Sequence, residues 1–170
     1  GGAAMANRVR AIVDAGIPVM GHLGLTPQSI SALGGFKAQG RNIDNALKII
    51  KDAEALEQAG AFAILLEAIP PELGKIITER CRIPIISIGA GMYCDGQLLI
   101  VHDMLGFFDR FTPKFVKKYT NMNGILLEVF EKYKAEVLNR EFPTKEYCYG
   151  MPEETRQQLY EALAQENSGK

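Results

Sequence analysis

Four short, continuous apolar segments constrain this chain more than any other feature of its sequence. They cover residues 17–23, 61–67, 83–89 and 97–102. Each has about the length of a β-strand and is continuously apolar rather than alternating. Such segments are typical of strands covered on both faces, as in parallel sheets flanked by helices. The sequence therefore predicts four buried, parallel strands.

Stretches with helical periodicity lie before, between and after these segments. The spacing of apolar residues predicts helices over 3–15, 42–58, 71–81, 121–139 and 152–166. Repeated β–α units imply a parallel sheet. Four units in roughly 120 residues match the pitch of a (β/α)8 barrel, which needs ~250 residues in all. An open, doubly wound sheet is the alternative, and residues 140–170 are expected to form a helical appendage.

The composition is that of a globular protein and excludes several functional classes. Of 170 residues, 47% are apolar and 23% charged, with a net charge of −1. Without a Lys/Arg cluster, we expect no nucleic-acid partner. No apolar run approaches the ~20 residues of a membrane span, so no membrane partner is expected. Three scattered cysteines and no visible secretory signal favour a reducing, cytoplasmic location.

Glu67 is the most informative candidate for catalysis. In βα folds, functional residues lie at the carboxyl ends of strands, and Glu67 ends the second segment after six uncharged residues. Partial burial there would make its carboxylate a stronger base, as a general base requires. The alternative is a carboxylate that caps the next helix or pairs with an arginine.

His22 is the second candidate, because glycines at positions 21 and 24 would let a ligand approach its imidazole closely. A partly buried histidine that only orients the loop is an equal alternative. The third segment ends in 89–91, Gly-Ala-Gly, which could bind an anion through backbone N–H groups. A plain tight turn is the favoured interpretation of that tripeptide.

The other polar residues in these loops favour structural roles. Asp95 and Asp103 could bind a metal, but their contexts suit the capping of a turn or helix better. Cys81 and Cys94 are interpreted as small packing residues. The apolar stripe from 126 to 137 is interpreted as the core-facing side of a helix.

Several stretches of the chain also carry a more specific pattern. They are 16–28, 59–67, 83–91 with 95–97, 102–106, 110–115 and 142–144. In this order they resemble the ketopantoate hydroxymethyltransferase family over nearly the whole chain. The most specific stretch is 22–28, His-Leu-Gly-Leu-Thr-Pro-Gln.

The resemblance implies a fold, a reaction and two site residues. The fold is a (β/α)8 TIM barrel of the phosphoenolpyruvate mutase/isocitrate lyase type, to which this chain would contribute strands five to eight and the C-terminal helices. The reaction transfers a hydroxymethyl group from 5,10-methylenetetrahydrofolate to 3-methyl-2-oxobutanoate, giving 2-dehydropantoate for pantothenate and coenzyme A synthesis. Glu67 matches the family's catalytic base, and His22 matches its substrate-contacting histidine. Family analogy also implies a homo-oligomer, a decamer of two pentameric rings.

The chain departs from the family in one large way. The family's Mg²⁺ ligands lie on strands one to four, and Gly1 and Gly2 match the glycines that follow its metal-associated glutamate. We therefore expect no metal ligand in this chain, Mg²⁺ held by an N-terminal half, and no transferase activity from residues 1–170 alone. Ser87 and the pair Tyr147–Cys148 also differ from the usual family residues.

Two other functions are compatible with the same residues. One is a different metal-dependent 2-oxo-acid lyase or mutase of the same superfamily, which would not depend on folate. The other is a non-catalytic half-barrel that serves as an assembly or interaction module.

Overall fold

The computed structural model describes residues 1–27 and 37–168. These form two compact units, Gly1–Met122 and Asn123–Lys170. The first contains a 3₁₀ helix (Ala3–Met5), α1 (Ala6–Asp14), β1 (Met20–Gly24), α2 (Ile43–Gln58), β2 (Ala63–Glu67), α3 (Pro71–Arg80), β3 (Ile85–Ile88), β4 (Gly96–Gln97) and α4 (Val101–Leu105). The second contains α5 (Met122–Leu138, which begins in the first unit), a 3₁₀ helix (Lys145–Tyr147) and α6 (Glu153–Ser168).

The four strands form one parallel sheet in the order β1-β2-β3-β4. This confirms the predicted α/β class with a parallel sheet. A doubly wound sheet reverses its strand order at a switch point, whereas strands of a barrel follow one another in sequence. The observed order is consistent with part of a barrel.

The predicted fourth strand, 97–102, is wrong. The ladder ends where the Leu98 N–H donates to the Ser87 carbonyl at 2.8 Å, and the chain then turns into α4. Leu98 and Ile100 remain 39% and 46% exposed. Because β4 lies at the edge of the described sheet, it has no second neighbouring strand there to keep this apolar run extended. His102 accordingly lies within α4, rather than at the end of a strand.

Local sequence explains where the longer helices begin and end. The Asn42 side chain accepts a hydrogen bond from the Asn45 N–H at 2.9 Å, so it caps the start of α2. Pro71 occupies the first turn of α3, where its missing N–H costs nothing. Gly16 follows α1 at φ 83°, a left-handed conformation in which glycine commonly ends a helix.

The hydrophobic core lies between one face of the sheet and helices α1 to α3. The strands contribute Leu23, Ile64, Leu66 and Ile85, which pack with Leu56 of α2 and Ile77 of α3. Full burial of such a side chain stabilises the fold by about 1.5–3 kcal/mol. Side chains alternate between the two faces of a strand, so His22, Leu65, Glu67 and Ile86 lie on the opposite face of the sheet. The helix-covered face therefore holds the fold together, and the opposite face carries both candidate site residues.

A buried carboxylate attaches the N-terminal segment to α2. Asp52 is 6% exposed and accepts hydrogen bonds from the Ala3 N–H at 2.8 Å and the Lys48 ammonium at 2.6 Å. A Cβ at Gly2 would lie 2.2–2.4 Å from this carboxylate, so only glycine fits. The sequence pattern did not reveal this contact, because charged residues on amphipathic helices usually face solvent.

The second unit has a small apolar contact of its own. Tyr133 and Phe142 meet edge to face with centroids 5.6 Å apart. The interpretation of the α5 stripe as core-facing is wrong for the described chain, in which Val129, Phe130 and Val137 are all exposed. The expected appendage boundary near residue 140 stays a prediction. Within the described ranges, no helix is long and apolar enough to cross a membrane.

Candidate active site

The two residues singled out at strand ends form a pair. His22 Nε2 lies 3.0 Å from Glu67 Oε2, although 45 residues separate them in the chain. The parallel register places His22 opposite Leu65, so Glu67 lies one step along the same face. The side chains are 25% and 14% exposed, which confirms that Glu67 is partly desolvated. In the described residues, Glu67 contacts His22 rather than an arginine, and no side chain caps the start of α3.

The hydrogen bond determines how the imidazole is used. When the Glu67 carboxylate is ionised it only accepts, and Nε2 then carries the proton that it donates to Glu67. In the neutral ring Nδ1 is then an acceptor, and in imidazolium it is a second donor. Among the described residues, Nδ1 has no hydrogen-bond partner. It is therefore the atom of His22 that is free to contact a ligand.

The backbone on both sides of Glu67 is fixed by contacts between strands. The Glu67 carbonyl accepts from the Leu25 N–H at 2.9 Å, and the Ala68 N–H donates to the Ile88 carbonyl at 3.0 Å. Gly24 has φ 89°, and a Cβ there would lie 2.1 Å from the Glu67 carbonyl oxygen. Glycine is thus required for β1 and β2 to approach each other at the catalytic candidate.

A cavity of about 910 Å³ opens at the carboxyl ends of the strands. Its lining includes Glu67, the end of β3 and the segment 108–115. The size is in the upper range of small-molecule sites. Of the paired residues, Glu67 lines this cavity and His22 does not, within the described chain. Glu67 is thus the member of the pair that faces the space for a ligand.

The Gly-Ala-Gly segment, 89–91, has the geometry of a tight turn. Gly89 and Gly91 have φ values of 75° and 88°. A Cβ at Gly89 would lie 2.6 Å from the Phe115 ring. The Ala90 N–H already donates to the Ser87 hydroxyl at 3.0 Å, so it is not available to an anion. Ser87 therefore closes this turn.

Potential metal-binding side chains do not cluster in the part of the chain that the structure describes. The described residues contain no group of three or more His, Cys, Asp or Glu side chains that could hold a metal. The Asp95 carboxylate accepts from the Ile85 N–H at 2.8 Å, which is a structural role. Asp103 lines the cavity with Glu67, and two carboxylates leave most of an octahedral shell to other donors. The predicted location of the ligands, in an N-terminal half, stays a prediction.

The two half-buried cysteines, Cys81 and Cys94, have raised pKa values, as packing residues would. Burial, with the carboxylates of Glu57 and Glu54 nearby, raises the pKa of the Cys81 thiol to about 11. Burial also raises the pKa of Cys94. Both thiols are protonated at neutral pH, so neither is an activated nucleophile.

Sequence reasoning missed part of the cavity wall. Lys37, Arg41 and Lys114 line the cavity together with Phe108 and Phe111. Only the stretch 110–115 gave a signal, as part of the family pattern. Gln28, the last residue of the most specific stretch, lies outside the described residues.

A parallel βα sheet carries an acid–imidazole pair at its strand ends, and the acid of the pair lines a cavity. This arrangement defines the class of the site, because it suits removal of a proton from a small organic substrate. Comparison with known proteins assigns the family. The family described as Ketopantoate hydroxymethyltransferase matches residues 1–145, and the chain belongs to this family.

Curated relatives agree with the family match. The chain is 51% identical over 160 residues to the 3-methyl-2-oxobutanoate hydroxymethyltransferase of Syntrophomonas wolfei, covering 94% of this chain and 58% of the relative. It is 54% identical over 166 residues to the protein of the same name from Alkaliphilus metalliredigens, covering 98% and 58%. The chain thus spans somewhat more than half the length of these relatives.

Proposed function

We propose that this chain carries the catalytic base of a hydroxymethyltransferase that acts on 3-methyl-2-oxobutanoate. The observation that carries the proposal is the 3.0 Å contact between His22 and a partly buried Glu67, on a chain of this family. The whole reaction transfers a hydroxymethyl group from 5,10-methylenetetrahydrofolate, with water supplying the hydroxyl oxygen. Its products are 2-dehydropantoate and tetrahydrofolate.

Glu67 removes the proton from C3 of the 2-oxo acid. That carbon is adjacent to the keto group, so the electron pair left behind is delocalised as an enolate, whose C3 forms the new carbon–carbon bond. The hydrogen bond from His22 fixes which Glu67 oxygen faces the substrate. His22 also contacts the bound acid through Nδ1 and so orients it.

We propose that the reaction also requires Mg²⁺, bound by residues other than those described here. When bound, Mg²⁺ would act as a Lewis acid on the 2-oxo acid and make its C3 proton more acidic. We place its ligands in the N-terminal half, together with strands one to four of a phosphoenolpyruvate mutase-type barrel. The decameric assembly and the cytoplasmic location are proposed on the same family grounds.

The test uses a completed chain. The completed chain is a chimera of two proteins. The part of the Syntrophomonas wolfei relative that precedes the matched region is joined ahead of Gly1 of this chain. With Mg²⁺, 3-methyl-2-oxobutanoate and 5,10-methylenetetrahydrofolate, we expect it to form 2-dehydropantoate, measured by mass spectrometry. The control omits the folate.

Each other outcome supports a different alternative. Conversion of the 2-oxo acid without folate would indicate the lyase or mutase. A folded, assembled chimera that turns over nothing, while the intact relative is active in the same assay, would indicate the interaction module.

A further inference from the structure

Ala68, the residue after the candidate base, has a backbone conformation that residues with a side chain rarely adopt. Its φ is 50°, in the left-handed region where the Cβ of an L-residue crowds the following carbonyl oxygen. Arg140 also has a positive φ, but it follows the end of α5, where that conformation is common. Ala68 follows a strand, so its conformation needs another explanation.

The sequence after Glu67 makes Ala68 the position where the chain turns. Ile69 and Pro70 each precede a proline, and both are therefore biased towards extended backbone. Ile69 is also 4% exposed and belongs to the hydrophobic core. The change of direction between β2 and α3 consequently falls on Ala68.

Two hydrogen bonds hold Ala68 in this conformation. Its N–H donates to the Ile88 carbonyl at 3.0 Å, and its carbonyl accepts from the Gln39 N–H at 3.0 Å. Strained backbone persists only where its surroundings fix it, and such positions cluster at functional sites. The bond to Ile88 extends the pairing of β2 with β3, whereas the bond from Gln39 comes from a separate segment.

The segment that carries Gln39, residues 37–42, packs closely on the neighbouring helices. Gly40 is buried and has φ 72°. A Cβ at this position would lie 2.5 Å from the Leu73 side chain of α3 and 3.2 Å from the Ile49 side chain of α2. The fold therefore fixes the backbone directly beside Gln39.

The Gln39 side chain holds the same backbone a second time. Its Nε2 donates to the Lys37 carbonyl at 2.9 Å, and its Oε1 accepts from Asn45 Nδ2 at 3.4 Å. Gln39 thus connects the first turn of α2 to the residue next to Glu67. Within the described chain it does not line the cavity, so it acts through Ala68 and not on a ligand.

We propose that Gln39 is a positioning residue for Glu67. Its N–H holds the Ala68 carbonyl and keeps Ala68 left-handed, and this conformation sets the direction of the backbone that carries the base. Without this bond, Ala68 would relax to an ordinary conformation, rotate the peptide after Glu67 and displace the carboxylate from C3 of the 2-oxo acid. The inference rests on the proposed function, because it assumes that Glu67 is the base.

The experiment measures exchange of the C3 proton in D₂O and binding of 3-methyl-2-oxobutanoate on the completed chain with Mg²⁺. Gln39→Pro removes the N–H that holds Ala68, and Gln39→Ala removes only the side-chain hydrogen bonds. At saturating 2-oxo acid, we expect Gln39→Pro to slow the exchange by about tenfold and Gln39→Ala by less, since a 1 Å misplacement can cost ~10²-fold. Affinity for the acid should be unchanged. Gln97→Ala is the matched control, because Gln97 also donates to a backbone carbonyl, that of Gly91, at 2.9 Å.

Ala68→Gly distinguishes a positioning role from a purely structural one. Glycine adopts the left-handed conformation without side-chain strain, so the residue no longer needs to be held. Combined with Ala68→Gly, Gln39→Ala should therefore slow the exchange less than it does alone. A role in stability only would lower the free energy of unfolding in both backgrounds and leave exchange at saturating acid unchanged.

The outcomes separate this inference from the proposed function. Wild-type exchange in both Gln39 variants, with slow exchange in Glu67→Gln, would overturn the positioning role and leave the base assignment standing. Equal slowing by Gln39→Ala with and without Ala68→Gly would also overturn it. If Gln39→Pro no longer binds the acid, Gln39→Ala decides. Wild-type exchange in Glu67→Gln would overturn the base and this inference together.

Discussion

At the residue scale, two substitutions of His22 distinguish its two proposed roles, which are to orient Glu67 and to contact the substrate. In the completed chain, His22→Ala should weaken binding of 3-methyl-2-oxobutanoate by roughly 1–3 kcal/mol, the cost of a lost hydrogen bond to a charged group. His22→Gln keeps a donor near Glu67 and should retain part of the C3 proton exchange. Calorimetry gives the affinity and NMR the exchange rate.

The opposite result at His22 is equally well defined. A large loss of thermal stability in His22→Ala, with unchanged affinity for the 2-oxo acid, would mean that the imidazole serves only the fold. Exchange in His22→Gln that is as slow as in His22→Ala would remove the orienting role of the hydrogen bond to Glu67.

Ser87 offers a stability test that does not involve the substrate. Its hydroxyl is fully buried and accepts the Ala90 N–H, so Ser87→Ala leaves that donor unpaired. We expect a loss of about 1–3 kcal/mol in the free energy of unfolding, measured by urea denaturation of the completed chain. Thr155→Ala, at an exposed position of α6, is the control. Equal stability of the two variants would show that the hydrogen bond contributes nothing.

At the element scale, the approach of β1 to β2 depends on Gly24. Gly24→Ala should cost more than the ~1–2 kcal/mol of left-handed backbone strain, because its Cβ would meet the Glu67 carbonyl at 2.1 Å. Gly16→Ala is the matched control: its φ is 83°, and no atom lies within 4 Å of the added Cβ. We expect the two variants to differ in the free energy of unfolding, measured with urea, and in the rate of C3 proton exchange.

The expected difference lies in activity as well as stability. Gly24→Ala moves the backbone that carries the base and should slow the exchange, whereas Gly16→Ala should leave its rate unchanged. Equal loss of stability and equal exchange rates in both variants would show that the close approach of the strands is not required.

The elements predicted well are those whose signal is local. Asn42 and Gly16 limit helices through contacts within a few residues, and the apolar segment before Glu67 forms a strand where it was expected. The strand prediction for 97–102 was wrong, because pairing with a neighbouring strand decides whether an apolar run is extended. Such pairing depends on residues far away in the sequence. That Lys37 and Arg41 line the same cavity as Lys114 was missed for the same reason, since Lys114 lies more than 70 residues further along the chain.

At the scale of the whole molecule, the paired residues occupy the sheet face opposite the one that helices α1 to α3 cover. That face also carries apolar side chains such as Met20, which is 44% exposed. In a closed barrel this face would line the interior. We expect the complete set of strands to be needed for binding, because the metal ligands are proposed to lie on strands one to four.

Residues 1–170 alone should therefore bind 3-methyl-2-oxobutanoate no better than background in the presence of Mg²⁺. The completed chain should bind it in a metal-dependent way, and calorimetry on both measures the difference. Tight, metal-dependent binding by residues 1–170 alone would show that the metal site lies within this chain.

The most direct test of Glu67 as the base is exchange of the substrate C3 proton in D₂O, followed by NMR on the completed chain with Mg²⁺. Glu67→Gln should bind the 2-oxo acid but slow the exchange by about 10²–10⁴-fold, the usual contribution of a general base. Glu79→Gln, at an exposed position of α3, should exchange at the wild-type rate. Near wild-type exchange in Glu67→Gln would contradict the assignment of Glu67 as the base.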